Sequence, residues 1–389
     1  MYEGRTVFSQ LMEYAPQREF QRAVERYEAD YRLRRFSCWD QFLCLAFAQL
    51  TYRESLRDIE AYLRAAPCRL YHLGRRGSVS RSTLADANER RDWRVHADFA
   101  QSLMGLARTL YAHDSFGVEL DETVYALDST TIDLCLSLCP WAPFHHARGA
   151  IKLHTLLDLR GSIPSFIRIT HGRASDVGTL DHLVYEPGAF YVMDRAYVDF
   201  KRLRRIHHAG AFFVTRSWKN TQCTCVCSSP VDPATGLRCD QTIRFSGVHS
   251  RTEYPDCARR VYYTDPETAR PLVFLTNNFA LPALTIAQLY RSRWRIETFF
   301  KWIKQHLRIK VFYGCSENAV KTQIWTAVAV YLLVAIARKR LRLELSLHSF
   351  LQVLSVSLFE KTPILQAFQR NDPNEEPGQN HNQLNLFDF

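Results

Sequence analysis

No apolar leader opens this chain. MYEGRTVFSQ carries an acid and several polar groups where a secretory signal needs an unbroken apolar run, so export is not indicated. An apolar run of bilayer length is missing too: Ile324 to Ala337 is about 14 residues against the roughly 20 a spanning helix needs, so it reads as a buried helix and no membrane is expected. Cysteine lacks the arrangement of a paired framework, because eleven residues, an odd number, are scattered from Cys38 to Cys315. Together these absences favour reduced thiols and a cytoplasmic location, on the nucleoid when bound to DNA. No internal repeat is visible. The first 115 residues hold 18 Arg and no Lys.

What is present is ample core material. The 389 residues are 47% hydrophobic and 13% aromatic, enough for two or three domains. Lys and Arg exceed Asp and Glu by 50 to 40, a net charge of +10, which suits a polyanionic partner such as nucleic acid.

Residues 1–115 read as a helical module and a candidate DNA-binding domain. Gln41–Leu50 and Ser55–Leu63 are amphipathic, Ser55 is placed to cap the helix from Leu56, and Pro67 ends that stretch. Ser82 begins a further helical segment, RSTLADANERR, which sets Arg81, Asn88, Arg90 and Arg91 near one helix. Arg and Asn in that setting can read base edges or phosphates, and an Arg-rich solvated surface is the plainer alternative.

Residues 116–215 switch to strands: VYALD at 124–128, IKLHTLLDL at 151–159 and SIPSFIRIT at 162–170, the last two joined by a tight turn at Arg160-Gly161. A short helix at 176–184, the strand AFYVMD at 189–194, a helix at 198–208 and the strand AFFVT at 211–215 follow, giving β-β-β-α-β-α-β. Residues 216–282, with turn formers, cysteines and short β runs, look like a β-rich insertion. Cys223, Cys225 and Cys227 alternate on one strand face, so a zinc site with Cys239 and Cys257 is a minor alternative. Residues 283–345 open with a strong helix from Leu284 to about Leu307. Residues 346–389 hold a last amphipathic stretch and the polar tail NDPNEEPGQNHNQ, which reads as disordered.

On that strong helix, a turn of roughly 100° per residue puts Tyr290, Arg293, Glu297 and Lys304 on one narrow stripe. An apolar stripe of Leu289, Ile296, Phe300, Ile303 and Leu307 lies beside it and would seat the helix against a sheet. Taken alone, Glu297 fits a surface ion pair with Arg293 or Lys301. Two aspartates upstream change that reading. Asp128 and Asp194 each close an apolar strand run, where a carboxylate has no packing role and calls for a cation. Asp121, Asp133 and Asp199 are nearby competitors, and a turn cap or an Asp194–Arg195 ion pair are the simpler explanations.

Tyr290, Arg293, Glu297 and Lys304 match the Y-(2)-R-(3)-E-(6)-K signature of the DDE transposases of the insertion-sequence-four family, and ALDSTTIDL and MDRAYVDF are similar to its first and second catalytic segments. The resemblance covers roughly residues 120–310, with a weaker likeness of the N-terminal RSTLADANERR segment. It implies a ribonuclease H-like mixed α/β sheet flanked by helices, with a β-rich insertion before the Glu297 helix and a helical N-terminal domain. It further implies catalysis and metal binding by Asp128, Asp194 and Glu297 with two Mg²⁺ ions, Mn²⁺ able to substitute. Tyr290, Arg293 and Lys304 would contact DNA, with Lys152 and His154 as weaker candidates. The partners implied are terminal inverted repeats and target DNA, bound by a homodimer, in cut-and-paste transposition. In relatives a tryptophan of the insertion can stack on a flipped base, and Trp218, near the start of the 216–282 stretch, is the only tryptophan within it. The alternatives are a two-metal nuclease of the same fold and a non-catalytic DNA-binding repressor.

Overall fold

The central strands follow from runs of apolar residues that must be covered on both faces. In this computed structural model, which describes residues 4–33, 35–65, 79–135, 139–145, 148–306 and 312–369, all four residues of Phe190–Met193 are buried. Such a strand belongs in the middle of a parallel region. This strand, β5, lies parallel to β1 (Val124–Leu134) on one side and to β6 (Phe212–Arg216) on the other. β1 pairs antiparallel with β3 (Arg148–Asp158), which pairs antiparallel with β4 (Ile163–His171). A short β2 (Pro143–His145) also sits on β3. The order β4-β3-β1-β5-β6, three antiparallel strands followed by two parallel ones, is the ribonuclease H-like arrangement.

The sheet does not stop at β6. β10 (Pro271–Thr276) pairs antiparallel with it, and β9 (Ala258–Thr264), β8 (Leu237–Phe245) and β7 (Cys223–Ser229) follow outward in that order. The 216–282 region is therefore β-rich as the sequence suggests, but it extends the core sheet instead of standing apart from it. The buried Arg259–Asp240 pair, bidentate at 2.8 and 2.7 Å, locks β9 to β8, and Arg259 also donates to the carbonyls of Asn278 and Leu281 at the entry to the next helix.

Strand alternation divides the core. Val124, Ala126, Phe190, Val192 and Val214 face one hydrophobic cluster, while Tyr125, Leu127, Tyr191, Met193 and Phe213 face the other. The first cluster is the larger. It holds the helix Glu317–Arg340, which is apolar all round; by length and composition it could cross a bilayer, yet nearly all of it is packed inside the fold. Helices Cys38–Leu50 and Arg94–Tyr111 pack against it, with Tyr111 donating to the Ala335 carbonyl at 2.8 Å and His96 Nδ1 meeting Thr326 at 3.0 Å. The first 115 residues thus share the core of the sheet domain, and residue 115 marks a change from helix to strand within one core.

Locally, Ser55 does cap the helix Leu56–Ala65 through the Asp58 amide, while Pro67 lies outside the described residues. The next cap is Ser80, directly ahead of Arg81–Arg90, so that helix starts slightly before Ser82. The β3–β4 turn falls at Arg160-Gly161 as expected, with Gly161 (φ +72) and Ser162 (φ +57) both left-handed. A Cβ on Gly161 would come within 2.3 Å of the Tyr111 ring.

Candidate active site

The pairing of β1 with β5 carries two carboxylates to one place. Ala126 faces Val192 and Leu127 faces Met193, so the next pair in register is Asp128 and Asp194. Parity puts both on the face of the larger core, Asp128 within β1 where its pairing with β5 ends and Asp194 directly after the last residue of β5. The third carboxylate comes from above. Helix Ala283–Ser292 ends at Arg293 and helix Trp294–His306 begins immediately after it, with Arg293 N–H bonding Tyr290 O at 3.2 Å and Ile296 N–H bonding Arg293 O at 3.0 Å. The single helix expected from Leu284 is therefore broken by a tight i, i+3 turn at Arg293, and Leu307 lies outside the described residues. Ile296, Phe300 and Ile303 are buried as the apolar stripe requires, leaving Glu297 on the open side.

Asp128, Asp194, Glu297, Arg293 and Lys304 line one open cleft of ≈ 520 Å³, together with Ser129, Thr130, Phe300 and Lys301. Arg293 is its centre. Nη1 donates to Asp128 Oδ2 at 2.7 Å and Nη2 to Glu297 Oε1 at 2.6 Å. Asp128 Oδ1 accepts from the Ser129 amide at 2.8 Å, and Tyr290 Oη donates to Asp194 Oδ1 at 3.0 Å. Burial raises the Asp128 carboxyl above its ordinary range, against the Ser129 amide and Arg293, and Glu297 and Asp194 push it further up. Burial pulls the Arg293 guanidinium down, but Tyr290 and the three carboxylates around it hold it above its usual value. Tyr290 is pushed up to about 12, first by burial and then by Asp194.

The donor set suits a hard divalent cation, since it offers carboxylate oxygens and no sulfur. Glu297 and Asp194 both raise Asp128, and a bound cation would relieve that repulsion. The three carboxylates do not converge on one point: Arg293 stands between Asp128 and Glu297, and among the described residues no three His, Cys, Asp or Glu groups form a ready metal cage. The chemistry of the donor set fits a divalent metal, and Arg293 is bonded to two of its three carboxylates. The outer strands fit zinc poorly, because a register shift between Cys225 and Cys227 breaks their alternation and Cys223 accepts from Arg260 Nη1 at 3.1 Å.

The other expected site residues divide. Tyr290 is buried, with its ring against Phe274 and its hydroxyl on Asp194. Lys152 bonds the Ala174 carbonyl at 2.9 Å and Asp176 at 3.2 Å, on the far face of the sheet beside buried His154. Asn88 and Arg91 turn inward, a correction to the surface role expected of them: Asn88 accepts from Gln41 at 2.8 Å, and Arg91 donates to the carbonyls of Ser37 and Phe36. Arg81 and Arg90 are exposed. Of the competitors, Asp199 caps helix Phe200–His208, and Asp121 and Asp133 are exposed away from the cleft. Trp218 is 43% exposed with the Arg195 guanidinium 5.3 Å over its ring, one residue from Asp194. Sequence reading passed over Thr130 and Ser129 as cleft residues. Strand alternation could have found Thr130, two positions from Asp128.

Comparison with known proteins places most of the chain beside transposases. Residues 119–333 match a family described as "Transposase DDE domain", and residues 3–76 match a "Domain of unknown function (DUF4372)". The putative transposase y4zB of Sinorhizobium fredii is 32% identical over 302 residues, 76% of this chain and 82% of that protein. The probable transposase for insertion sequence element IS5377 of Geobacillus stearothermophilus is 30% identical over 232 residues, 58% and 60% of the two chains. A putative transposase for insertion sequence element IS4SA of Synechocystis is 24% identical over 261 residues, 66% and 71%. Among solved structures, the piggyBac transposase synaptic complex with hairpin DNA aligns with a TM-score of 0.47 at 10% identity, over 97% of this chain and 83% of that one.

Proposed function

The chain belongs to the transposase DDE domain family and is a DNA-cleaving transposase, and from that premise we propose that Asp128, Asp194 and Glu297 are its catalytic carboxylates in cut-and-paste transposition of an insertion sequence. The observation that supports this most is the meeting of these three residues, from two strands and a helix, in one cleft with Arg293.

Enzymes of this family use divalent metal, and the proposed ions are two Mg²⁺ held by the three carboxylates, supplying Lewis-acid activation of the attacking oxygen and stabilisation of the leaving oxygen. The chain's own residues do the remainder. The Ser129 amide fixes one oxygen of Asp128, and the Tyr290 hydroxyl fixes one of Asp194. Arg293, Lys301 and Lys304 set positive charge on the cleft wall, where it can offset phosphate charge as a bond is cleaved. Water is the first nucleophile, which frees a 3′-hydroxyl at the transposon end, and that hydroxyl then attacks target DNA. The proposed partners are the terminal inverted repeats and the target duplex, engaged by a homodimer in the bacterial cytoplasm. Arg81 and Arg90 remain candidate DNA contacts on the N-terminal helices.

Replacing Asp128, Asp194 or Glu297 singly by Ala should lower strand cleavage in Mg²⁺ by ~10³-fold or more, the scale of losing a catalytic group, while DNA binding persists. Wild-type cleavage by any of the three would remove that residue from the site. Joined end–target products separate a transposase from a nuclease of the same fold.

A further inference from the structure

We propose that Arg293 is an exchangeable counter-ion, which occupies the metal position between Asp128 and Glu297 until a DNA phosphate draws it off, so that metal loading follows DNA binding. The inference rests on the carboxylate assignment above, and concerns how that site is regulated.

The guanidinium fork spans both carboxylates, with 2.7 Å to one and 2.6 Å to the other. A planar fork of this kind satisfies two oxygens from different residues at once, and a metal held by Asp128 and Glu297 would compete with it for those carboxylates. Without DNA the exchange favours Arg293, because its guanidinium is tethered beside the carboxylates of the cleft and already bonds two of them. It is not fully satisfied there. Arg293 Nε is buried without a hydrogen-bond partner, so this position leaves one of its donors unpaired. The residue also sits at the turn between two helices, and from there its long side chain can reach the open side of the cleft lined by Lys301 and Lys304. A phosphate arriving on that side offers the guanidinium a new bidentate acceptor and uncovers the carboxylates. Because such coupling is reciprocal, metal should tighten DNA binding by the factor by which DNA tightens metal binding.

The test is Mn²⁺ binding to the full chain, followed by the electron paramagnetic resonance of free Mn²⁺, with and without duplex DNA from the element's end. Wild type should bind Mn²⁺ at least ~10-fold more tightly with DNA than without, within the range of ordinary coupling. Arg293→Ala should bind Mn²⁺ tightly without DNA and gain little from it. Arg293→Lys keeps the charge but not the fork, and should also bind more tightly than wild type in the absence of DNA. Should Arg293→Lys match wild type while Arg293→Ala tightens, plain charge repulsion explains the effect and the exchange is overturned. It is equally overturned if DNA leaves wild-type Mn²⁺ affinity unchanged. Asp128→Ala is the separate control. Undiminished Mn²⁺ binding by that variant would sink the carboxylate assignment itself, whereas its loss alongside unchanged Arg293 variants sinks only the exchange.

Discussion

Tyr290 has a packing role and a polar role that a single atom separates. Its ring lies 4.9 Å from Phe274, and its hydroxyl holds Asp194 at 3.0 Å. Tyr290→Phe should therefore keep the fold and the unfolding midpoint while cutting cleavage roughly tenfold, the scale of one lost hydrogen bond to a charged group, measured on end-containing DNA. His96 makes a different prediction. Burial drives it from an ordinary 6.5 down to about 3, so the unfolded chain binds its proton first as pH falls. Its contribution is intact above pH 6.5 and is lost progressively below it, by on the order of 1 kcal/mol at pH 5.5. Urea midpoints at pH 7.5 and 5.5 should draw closer in His96→Gln than in wild type. At the residue scale, spacing alone left Glu297 in a surface ion pair with Arg293, and the four-residue signature is what singled the two out. Leu84, Ala87, Asn88 and Arg91 have the i, i+3, i+4, i+7 spacing of a buried stripe, and polarity alone turned the last two toward DNA when periodicity turned them toward Gln41 and Phe36.

Among the elements, the outer strands β8 and β9 are tied by a buried ion pair as well as by their backbone ladder. Asp240→Ala would leave the Arg259 guanidinium buried without its carboxylate, and should cost about 3–5 kcal/mol in denaturant unfolding. The loss should be smaller when both residues are replaced by apolar ones of similar size. Gly161→Ala should destabilise as well, through positive φ and a collision with Tyr111. Strands β3 to β6 were readable from alternation and apolar runs to within three residues, whereas β1 runs six residues past the apolar stretch VYALD and the short β2 went unread. The helix break at Arg293 was not readable, because nothing in LYRSRWRIE departs from helical preference; Tyr290 reaching Asp194 and Arg293 reaching Asp128 impose the tight turn from outside. Nor was the β10–β6 pairing visible, since residues as far apart as Arg216 and Phe274 leave no local trace of being neighbours.

For the whole molecule, the net charge of +10 makes DNA affinity a function of salt. Its logarithm should fall linearly with the logarithm of salt concentration. Lys304→Ala should make that slope shallower by about 0.9 if the residue meets a phosphate. An unchanged slope would remove Lys304 from the interface. One hydrophobic core joins the N-terminal helices, the Glu317–Arg340 helix and one face of the sheet, so calorimetry should find the two halves melting together. The continuity of that sheet bears on ancestry and engineering. β10 follows the outer strands in the chain but is the direct neighbour of β6, so the 216–282 stretch is no detachable cassette. Excising it whole would bare the flank of β6 and invite self-association. Lineages, or designers, can lengthen or trim this protein only as a fabric is worked, from the selvedge at β7 inward, with β10 the last thread to be pulled.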